Sequence, residues 1–329
     1  MPTIAVPDVQ RLADGVLNQD RRAVARAVTL IESTRADHRV AADDLLNVLS
    51  PHAGNADRVG ISGAPGVGKS TFIETLGMQL VSAGRKLAVL TVDPSSTLSG
   101  GSILGDKTRM TELSREPGAF IRPSPAGTSL GGVARRTREA MIVCEAAGFD
   151  LVFVETVGVG QSEVAVANMT DVFLLLLLPL GGDELQGIKR GIMELADVVL
   201  VNKADGPQHD AAQRTVAEYR NALHLMRSRT PGWEAVVEPC SALMDEGMTQ
   251  VWSLIEKHQA HVRAQGVLNE RRRDQAKRWF WDEISDGVLM HLKSMPGAHE
   301  RITEYEALVG QGEKAAPVAA RQLLRQFLG

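Results

Sequence analysis

The sequence predicts an α/β fold in which a mainly parallel sheet is enclosed between helix layers, and three observations support this. From residue 58 onward, short β-rich runs alternate with helical runs, as strands joined by helical crossovers do. Most of the β-rich runs are continuously apolar, so both faces of their sheet should be covered. The sequence on either side of this region is helical in pattern. The expected strands are 58–62, 87–92, 119–122, 151–155, 171–178, 197–202 and 235–239.

Helical periodicity sets the expected domain organisation. Apolar residues recur at helical spacing through residues 1–50, and "SPHAGNAD" (50–57) reads as a loop. After residue 265 a long charged helix carries Trp279 and Trp281, which we interpret as packing or dimer-contact residues. We expect an N-terminal helical extension (1–55), an α/β domain (56–265) and a C-terminal helical arm (266–329). The helices expected between the strands are 69–83, 131–147, 185–195, 208–227 and 245–264.

Composition excludes several classes of protein. The 329 residues carry a net charge of −4, so no basic excess favours nucleic acid as a partner. Cys144 and Cys240 lie far apart, which fits free thiols in a reduced compartment and no zinc site. The N-terminus lacks a signal-peptide pattern. The longest apolar run, 172–180, has nine residues, whereas a membrane span needs about 20. We expect a cytoplasmic protein with no membrane segment.

A phosphate-binding loop follows the first predicted strand. "GAPGVGKST" matches G-x-x-x-x-G-K-[ST] at every fixed position, between a strand and a helix. Its glycines let backbone N–H groups point at phosphate oxygens, and the helix N-terminus adds positive potential. Lys69 would neutralise the β and γ phosphates, Ser70 would bind Mg²⁺, and Thr71 could bond the α phosphate. The fold is therefore expected to be that of a P-loop NTPase. The expected nucleotide-binding residues here are Gly63, Ala64, Pro65, Gly66, Val67, Gly68, Lys69, Ser70 and Thr71.

"NKAD" (202–205) indicates that the base is guanine. The Asp205 carboxylate can accept hydrogen bonds from the ring N–H and the exocyclic amine of guanine, whereas adenine would leave it unpaired. We expect Lys203 to lay its stem along the base and Asn202 to brace the loops. "CSAL" (240–243) follows the next strand, and its backbone N–H groups could contact the guanine oxygen. The motifs together predict GTP and GDP rather than ATP. The residues expected at this oxygen are Ser241, Ala242 and Leu243.

Acidic residues at strand ends are the candidates for holding Mg²⁺, because open α/β sheets gather ligand groups at that edge. Glu155 ends a strand in "LVFVETVGVGQSE", and Asp93 follows another in "VDPSS". Asp106 lies in the glycine-rich segment "GGSILGDKTRM". The alternative roles for all three are helix caps or solvated charges. With Ser70 they form the expected metal set, and with Lys69 they form the expected catalytic set.

Two further segments are candidates for switches. In "ETVGVGQSE" the Gly158 N–H can bond the γ phosphate, but Val159 stands where Ras-like GTPases have the glutamine that positions water. Gln161 lies two residues after the position at which the water-positioning glutamine would be expected. Slow intrinsic hydrolysis is therefore expected. The segment "GGDELQGIKRG" (181–191) is either a second switch or an ordinary helix start capped by its first aspartate. Its candidate switch residues are Asp183, Glu184, Gln186 and Lys189.

The order of these motifs resembles the MeaB/ArgK family of methylmalonyl-CoA mutase-associated GTPases. The resemblance rests on "GAPGVGKST", "VDPSS", "GGSILGDKTRM", "ETVGVGQSE", "DELQGIK" and "NKAD". It is strong over roughly residues 55–265, and the helical extensions at both ends are also similar to those of the family. "GGSILGDKTRM" and "ETVGVGQSE" are far more specific than the P-loop.

The resemblance implies a homodimeric P-loop GTPase of the metallochaperone class, with the C-terminal arm in the dimer contact. Its client would be an adenosylcobalamin-dependent acyl-CoA mutase, most simply methylmalonyl-CoA mutase, whose cofactor loading it gates and which it protects from inactivation. The 183–189 segment would respond to the mutase. Three other readings stay open: an ArgK-type protein kinase, a nickel-chaperone-type GTPase and a nucleotide-gated adaptor. The guanine motif argues against the kinase, and the scattered histidines offer nickel no obvious site.

Overall fold

The computed structural model describes residues 7–92, 110–123, 130–156, 162–179, 190–226 and 228–328. Within them, seven parallel strands form a single sheet in the order β3-β2-β4-β1-β5-β6-β7, which confirms the predicted fold class. Each strand begins and ends within a residue or two of its predicted bounds. The strands are β1 (Asp57–Gly63), β2 (Leu87–Val92), β3 (Ala119–Pro123), β4 (Leu151–Thr156), β5 (Val172–Leu177), β6 (Val198–Val201) and β7 (Val236–Pro239).

Helices surround this sheet and continue beyond it. Those before β1 are α1 (Val9–Leu17), α2 (Arg21–Glu32) and α3 (Ala36–Leu49). Those between strands are α4 (Lys69–Ser82), α5 (Leu130–Ala146), α6 (Ser162–Ala167), α7 (Arg190–Met193) and α8 (His209–His224). Those after β7 are α9 (Met248–Ala264), α10 (Val267–Ser294), α11 (Ala298–Gly310) and α12 (Ala316–Leu328).

Both faces of the sheet are buried, as its continuously apolar strands require. One face packs against α4 and α9, where Phe72, Ile73 and Ile255 are fully buried with side chains from β1, β2 and β4. The other face packs against α5, α6 and α8 and against the N-terminal helices. β1 is hydrogen-bonded between β4 and β5, so the phosphate-binding loop leaves from the middle of the sheet.

The N-terminal helices α1–α3 belong to the same compact unit as the sheet, which spans Met1–Arg273. Asp8 and Asp20 cap α1 and α2 by accepting backbone N–H bonds, as capping residues do. Two ion pairs link these helices to the sheet layer: Arg122 at the end of β3 pairs with Glu32 of α2, and Arg39 of α3 pairs with Glu139 of α5. Apolar burial and these pairs fix the N-terminal helices on one face of the α/β core.

One helix was not predicted from the sequence, and another is described only in part. The short helix α6, Ser162–Ala167, was not predicted, because its six residues are too few to show a helical period. The helix expected at 185–195 is described only from Arg190 to Met193, because its earlier residues lie outside the described ranges.

A second compact unit comprises Asp274–Gly329. It contains the distal part of α10 together with α11 and α12. Several large apolar side chains of α10 are exposed, including Phe280, Trp281 and Met290. Within the described part of the chain, no helix is both long and apolar enough to cross a membrane.

Charged side chains are buried at the edge of the sheet where β1 and β5 begin. Asp171, just before β5, accepts hydrogen bonds from Arg272 Nε (2.9 Å) and Nη2 (2.5 Å) and from the Arg58 backbone N–H (2.9 Å). Its side chain is only 2% exposed. Arg58 itself pairs with Glu145 of α5, Nε to Oε1 2.6 Å. These contacts join the start of α10 to the sheet.

We therefore predict that Asp171→Ala lowers the free energy of unfolding by about 3 kcal/mol, because Arg272 would remain charged without its buried partner. Urea denaturation measures the change. The matched control is Glu112→Ala, which removes an exposed pair with Arg115 and should leave stability nearly unchanged. Equal effects of the two substitutions would contradict a stabilising role for the buried pair.

Candidate nucleotide-binding site

The phosphate-binding loop connects the end of β1 to the start of α4, and two glycines are required by its shape. Gly68 caps α4 with φ +95°, and a Cβ there would lie 2.8 Å from Asn202 Nδ2. Gly63 has φ +154°, and a Cβ there would lie 2.5 Å from the Leu176 carbonyl oxygen. A Cβ at Gly63 would therefore clash with backbone, and one at Gly68, where φ favours glycine, would displace the Asn202 side chain. The loop therefore has the tight curvature that turns backbone N–H groups toward an anion.

Lys69 is buried within this loop at the first turn of α4. Its Nζ donates hydrogen bonds to the carbonyl oxygens of Gly63 (2.8 Å) and Ala64 (3.2 Å). Ser70 and Thr71 follow it on the same turn, Ser70 half-buried and Thr71 exposed. The structure thus places the predicted lysine and both predicted hydroxyls at one helix N-terminus.

Asn202, at the end of β6, joins the phosphate-binding loop to the two loops predicted to hold the base. Its Nδ2 donates to the Val67 carbonyl oxygen at 2.8 Å. Its Oδ1 accepts from the Ala242 backbone N–H at 3.0 Å and from the Cys240 thiol at 3.7 Å. The side chain is 2% exposed. One buried amide therefore connects three separate segments of sequence.

The predicted base-recognition residues lie together beside Asn202. Ser241 Oγ donates to Asp205 Oδ1 at 2.5 Å, and Lys203 Nζ donates to the Gly66 carbonyl oxygen at 2.8 Å. Lys203 adopts φ +60°, an uncommon conformation for a residue with a Cβ. Lys203 thus contacts the phosphate-binding loop, and the Asp205 carboxylate contacts the "CSAL" loop.

The "CSAL" loop is held by a backbone bridge and by the Asn202 side chain. The Ser241 N–H donates to the Glu246 carbonyl oxygen at 2.9 Å, and the Ala242 N–H donates to Asn202. In this conformation the N–H groups of Ser241 and Ala242, which were predicted to contact the guanine oxygen, both donate to protein oxygens. Leu243 is largely exposed at its tip.

Cys240 is a buried neutral thiol behind the base loop. Burial raises the pKa of Cys240 to about 12, so its proton is retained at neutral pH and the S–H group can donate to Asn202. Cys144 is also buried and free, and burial likewise raises its pKa. Both cysteines are therefore structural in character.

Sequence reasoning missed two hydroxyl contacts that hold the site together. Thr75 Oγ1 of α4 donates to the Ala242 carbonyl oxygen at 2.7 Å. Thr156 Oγ1, at the end of β4, donates to Ser62 Oγ, at the end of β1, at 2.9 Å. No local pattern marks these residues, because each contact joins positions far apart in sequence.

Of the predicted acidic residues, Glu155 lies at the end of β4 beside β1, and it is 6% exposed. Its register partner on β1 is Ile61, two residues before the phosphate-binding loop. Asp93, Asp106, Gly158, Val159 and Gln161 lie outside the described residues. The same holds for Asp183, Glu184, Gln186 and Lys189. Among the residues that are described, no group of three His, Cys, Asp or Glu side chains is placed to hold a metal ion.

The fold and this site together define a P-loop nucleotide-binding protein with the loop arrangement of a GTPase. The family model "Methylmalonyl Co-A mutase-associated GTPase MeaB" matches residues 24–297. The chain therefore belongs to the MeaB family, and it is a guanine-nucleotide-binding GTPase.

Similar proteins agree with this family. A putative GTPase of Caulobacter vibrioides is 52% identical over 97% of this chain and 98% of its own length. The mouse protein named methylmalonic aciduria type A homolog, mitochondrial, is 47% identical over 97% of this chain and 79% of its own. The crystal structure of a protein named LAO/AO transport system kinase superposes with a TM-score of 0.78 at 35% identity, covering 98% of each chain.

We predict that Asn202→Ala weakens the affinity for GDP at least tenfold, because a lost buried amide leaves the Val67 carbonyl and the Ala242 N–H without their partner. Titration with fluorescent GDP measures the affinity. Asn221→Ala, on the exposed side of α8, is the control and should bind as the unmodified chain does. Unchanged GDP affinity in Asn202→Ala would show that the three loops do not depend on this side chain.

Proposed function

We propose that this GTPase is a chaperone of an adenosylcobalamin-dependent acyl-CoA mutase, with methylmalonyl-CoA mutase as the client. GTP hydrolysis would gate cofactor loading and protect the mutase from inactivation. The observation that carries the proposal is the match of residues 24–297 to a mutase-associated GTPase family. The Asn202 bridge between the phosphate-binding loop and the guanine loops supports the nucleotide-binding part of the proposal. The mouse relative, named for methylmalonic aciduria, supports the same client.

The phosphate chemistry would be carried by the first turn of α4. Lys69 donates to two loop carbonyls, and we propose that it transfers these hydrogen bonds to the β and γ phosphates when GTP enters. Developing charge on the γ phosphate would then meet a fixed ammonium and a helix N-terminus. Thr71, exposed on the same turn, is proposed to bond the α phosphate.

We propose that a divalent cation binds at the carboxyl edge of the sheet, with Ser70 and Glu155 among the residues that hold it. Ser70 follows Lys69 on α4, and Glu155 presents a buried carboxylate on the strand beside β1. Hydroxyl and carboxylate oxygens are the donor set that Mg²⁺ prefers. When bound, Mg²⁺ would neutralise phosphate charge. We propose Ser70 and Glu155, with Asp93 and Asp106, as the residues that hold it directly or through water.

Hydrolysis by the chain alone would be slow. Gly158 is proposed to contact the γ phosphate, while Val159 offers no group that could orient water. We propose that the mutase completes the site and that the segment carrying Asp183, Glu184, Gln186 and Lys189 transmits its binding. The C-terminal arm is proposed to form a homodimer contact through the exposed apolar side chains of α10, and the protein is proposed to act in the cytoplasm.

The kinase reading has one specific observation in its favour, the kinase name of the protein whose crystal structure superposes on this chain. Transfer of radiolabelled phosphate from ATP to a protein would support it. The placement of Asp205 beside the base loop favours guanine over adenine instead. The nickel-chaperone reading would require tight nickel binding by this chain, which equilibrium dialysis measures directly.

We predict that Asp205→Asn reduces GTP affinity by about 100-fold, because an amide cannot accept hydrogen bonds from both guanine donors. Xanthosine triphosphate carries a carbonyl in place of the exocyclic amine, so its affinity should rise. Competition against fluorescent GDP measures both changes. Asp210→Asn, an exposed residue five positions later, should alter neither. If Asp205→Asn weakened the affinities for GTP and for xanthosine triphosphate equally, Asp205 would not be the residue that recognises the base.

We predict that GTP turnover rises at least tenfold when purified adenosylcobalamin-dependent mutase is added, because a partner supplies groups that the isolated site lacks. Phosphate release with and without the mutase measures the effect. Lys69→Ala serves as the hydrolysis-deficient control. Single-turnover assays with saturating protein separate loss of binding from loss of chemistry. If the chain alone hydrolysed GTP as fast as it does with the mutase, the mutase would not gate hydrolysis and the proposal would be wrong.

A pull-down from cell extract tests the partner independently. Beads carrying the chain with a non-hydrolysable GTP analogue should recover a cobalamin-dependent mutase more strongly than beads without nucleotide. Recovery of no such mutase in either condition would count against the chaperone function while leaving the GTPase activity intact.

A further inference from the structure

Thr91 on β2 is a buried hydroxyl that the site described above does not use. The residue is 2% exposed. Within the described residues, its Oγ1 has no hydrogen-bond partner. A buried hydroxyl without a partner is destabilising, because it loses its hydrogen bonds to water and gains none. Valine has nearly the same shape and no polar atom, so packing alone does not explain a threonine here.

The strand register places Thr91 directly beside Glu155. Thr91 pairs with Glu155 on one side and with Pro123 on the other, and Glu155 in turn pairs with Ile61. Register partners in adjacent parallel strands point to the same face and lie about 4.8 Å apart. The row therefore reads Pro123, Thr91, Glu155, Ile61 across the sheet, and its two polar members are neighbours.

This row lies on the face of the sheet that α4 covers. Leu87 and Val89 of β2 are buried with Phe72 and Ile73 of α4. Thr91 is two residues beyond Val89, so its side chain points to the same face. It is also the penultimate residue of β2, at the edge where the phosphate-binding loop begins. The hydroxyl thus lies on the helix side of the nucleotide edge, next to the buried carboxylate.

We propose that Thr91 is a positioning residue for the divalent cation: its hydroxyl holds, together with Glu155, a water molecule of the hydration shell of the nucleotide-bound metal. The inference rests on the proposed Mg²⁺ role of Glu155. A hydroxyl can donate to a carboxylate and accept from a metal-bound water at the same time. The loaded site then gives a partner to a hydroxyl that has none among the described residues. Residues that orient such outer-shell groups alter metal affinity by about 10- to 100-fold in typical sites.

The test is Thr91→Val, which should stabilise the free protein and weaken its response to Mg²⁺. Without nucleotide or metal, the melting temperature should rise by about 2 °C, because the substitution removes a buried hydroxyl that has no partner among the described residues. With GDP present, the Mg²⁺ concentration at half-maximal tightening of fluorescent-GDP binding should increase about tenfold. GDP affinity in excess EDTA should stay unchanged.

Two further variants make the result specific. Thr91→Ser keeps the hydroxyl and should restore the Mg²⁺ midpoint to within about twofold of the unmodified chain. Thr137→Val removes a buried hydroxyl that already donates to the Val133 carbonyl at 3.0 Å. It should lower the melting temperature and leave the Mg²⁺ midpoint unchanged.

A Thr91→Val chain whose melting temperature falls, or whose Mg²⁺ midpoint stays within twofold of the unmodified chain, overturns the proposal. The response of the unmodified chain to Mg²⁺ distinguishes these outcomes from failure of the proposed Mg²⁺ site. If GDP affinity of the unmodified chain does not respond to Mg²⁺, the proposed metal function is wrong as well. A responsive unmodified chain with an unaltered Thr91→Val midpoint rejects only the role of Thr91.

Discussion

The hydrogen-bonded position of β1 between β4 and β5 is the constraint on which the rest of the molecule depends. Because all seven strands are parallel, their carboxyl ends meet at one edge, and the loop after β1 lies at the centre of that edge. β6 and β7 bring Asn202 and Cys240 to the same edge, and β4 brings Glu155. The site is therefore assembled by strand order, and each side chain needs only to be at the end of its own strand.

Buried charged side chains lie at the opposite edge of the sheet, where the strands begin. Asp171, Arg58 and Glu145 form paired contacts where β1 and β5 begin, and Arg272 joins them from α10. Such pairs cost desolvation and offset it only with good geometry. These pairs also position the first turns of α10 against the central strands. They lie at the amino ends of the strands, opposite the carboxyl ends where the nucleotide loops begin.

The sequence alone predicted the seven strands, the parallel sheet and the three loops of the site, because apolar strands and phosphate- and base-binding motifs are local patterns. It could not predict how the loops are joined. The Asn202 bridge was expected only as a general brace, and the contacts of Thr75 and of Thr156 with Ser62 were not anticipated. These bonds depend on which strands become neighbours, and α6 was missed because six residues show no period.

The hydrogen bonds of Lys69 have a thermodynamic consequence for ligand entry. Its ammonium is already satisfied by the Gly63 and Ala64 carbonyls, so a phosphate arriving at this loop exchanges one set of polar contacts for another. Counting new salt bridges would therefore overstate the heat released on association. The same bonds spare the loop an isolated buried charge. In the proposed binding mode, nucleotide uptake displaces these Lys69 contacts within a loop that is already curved.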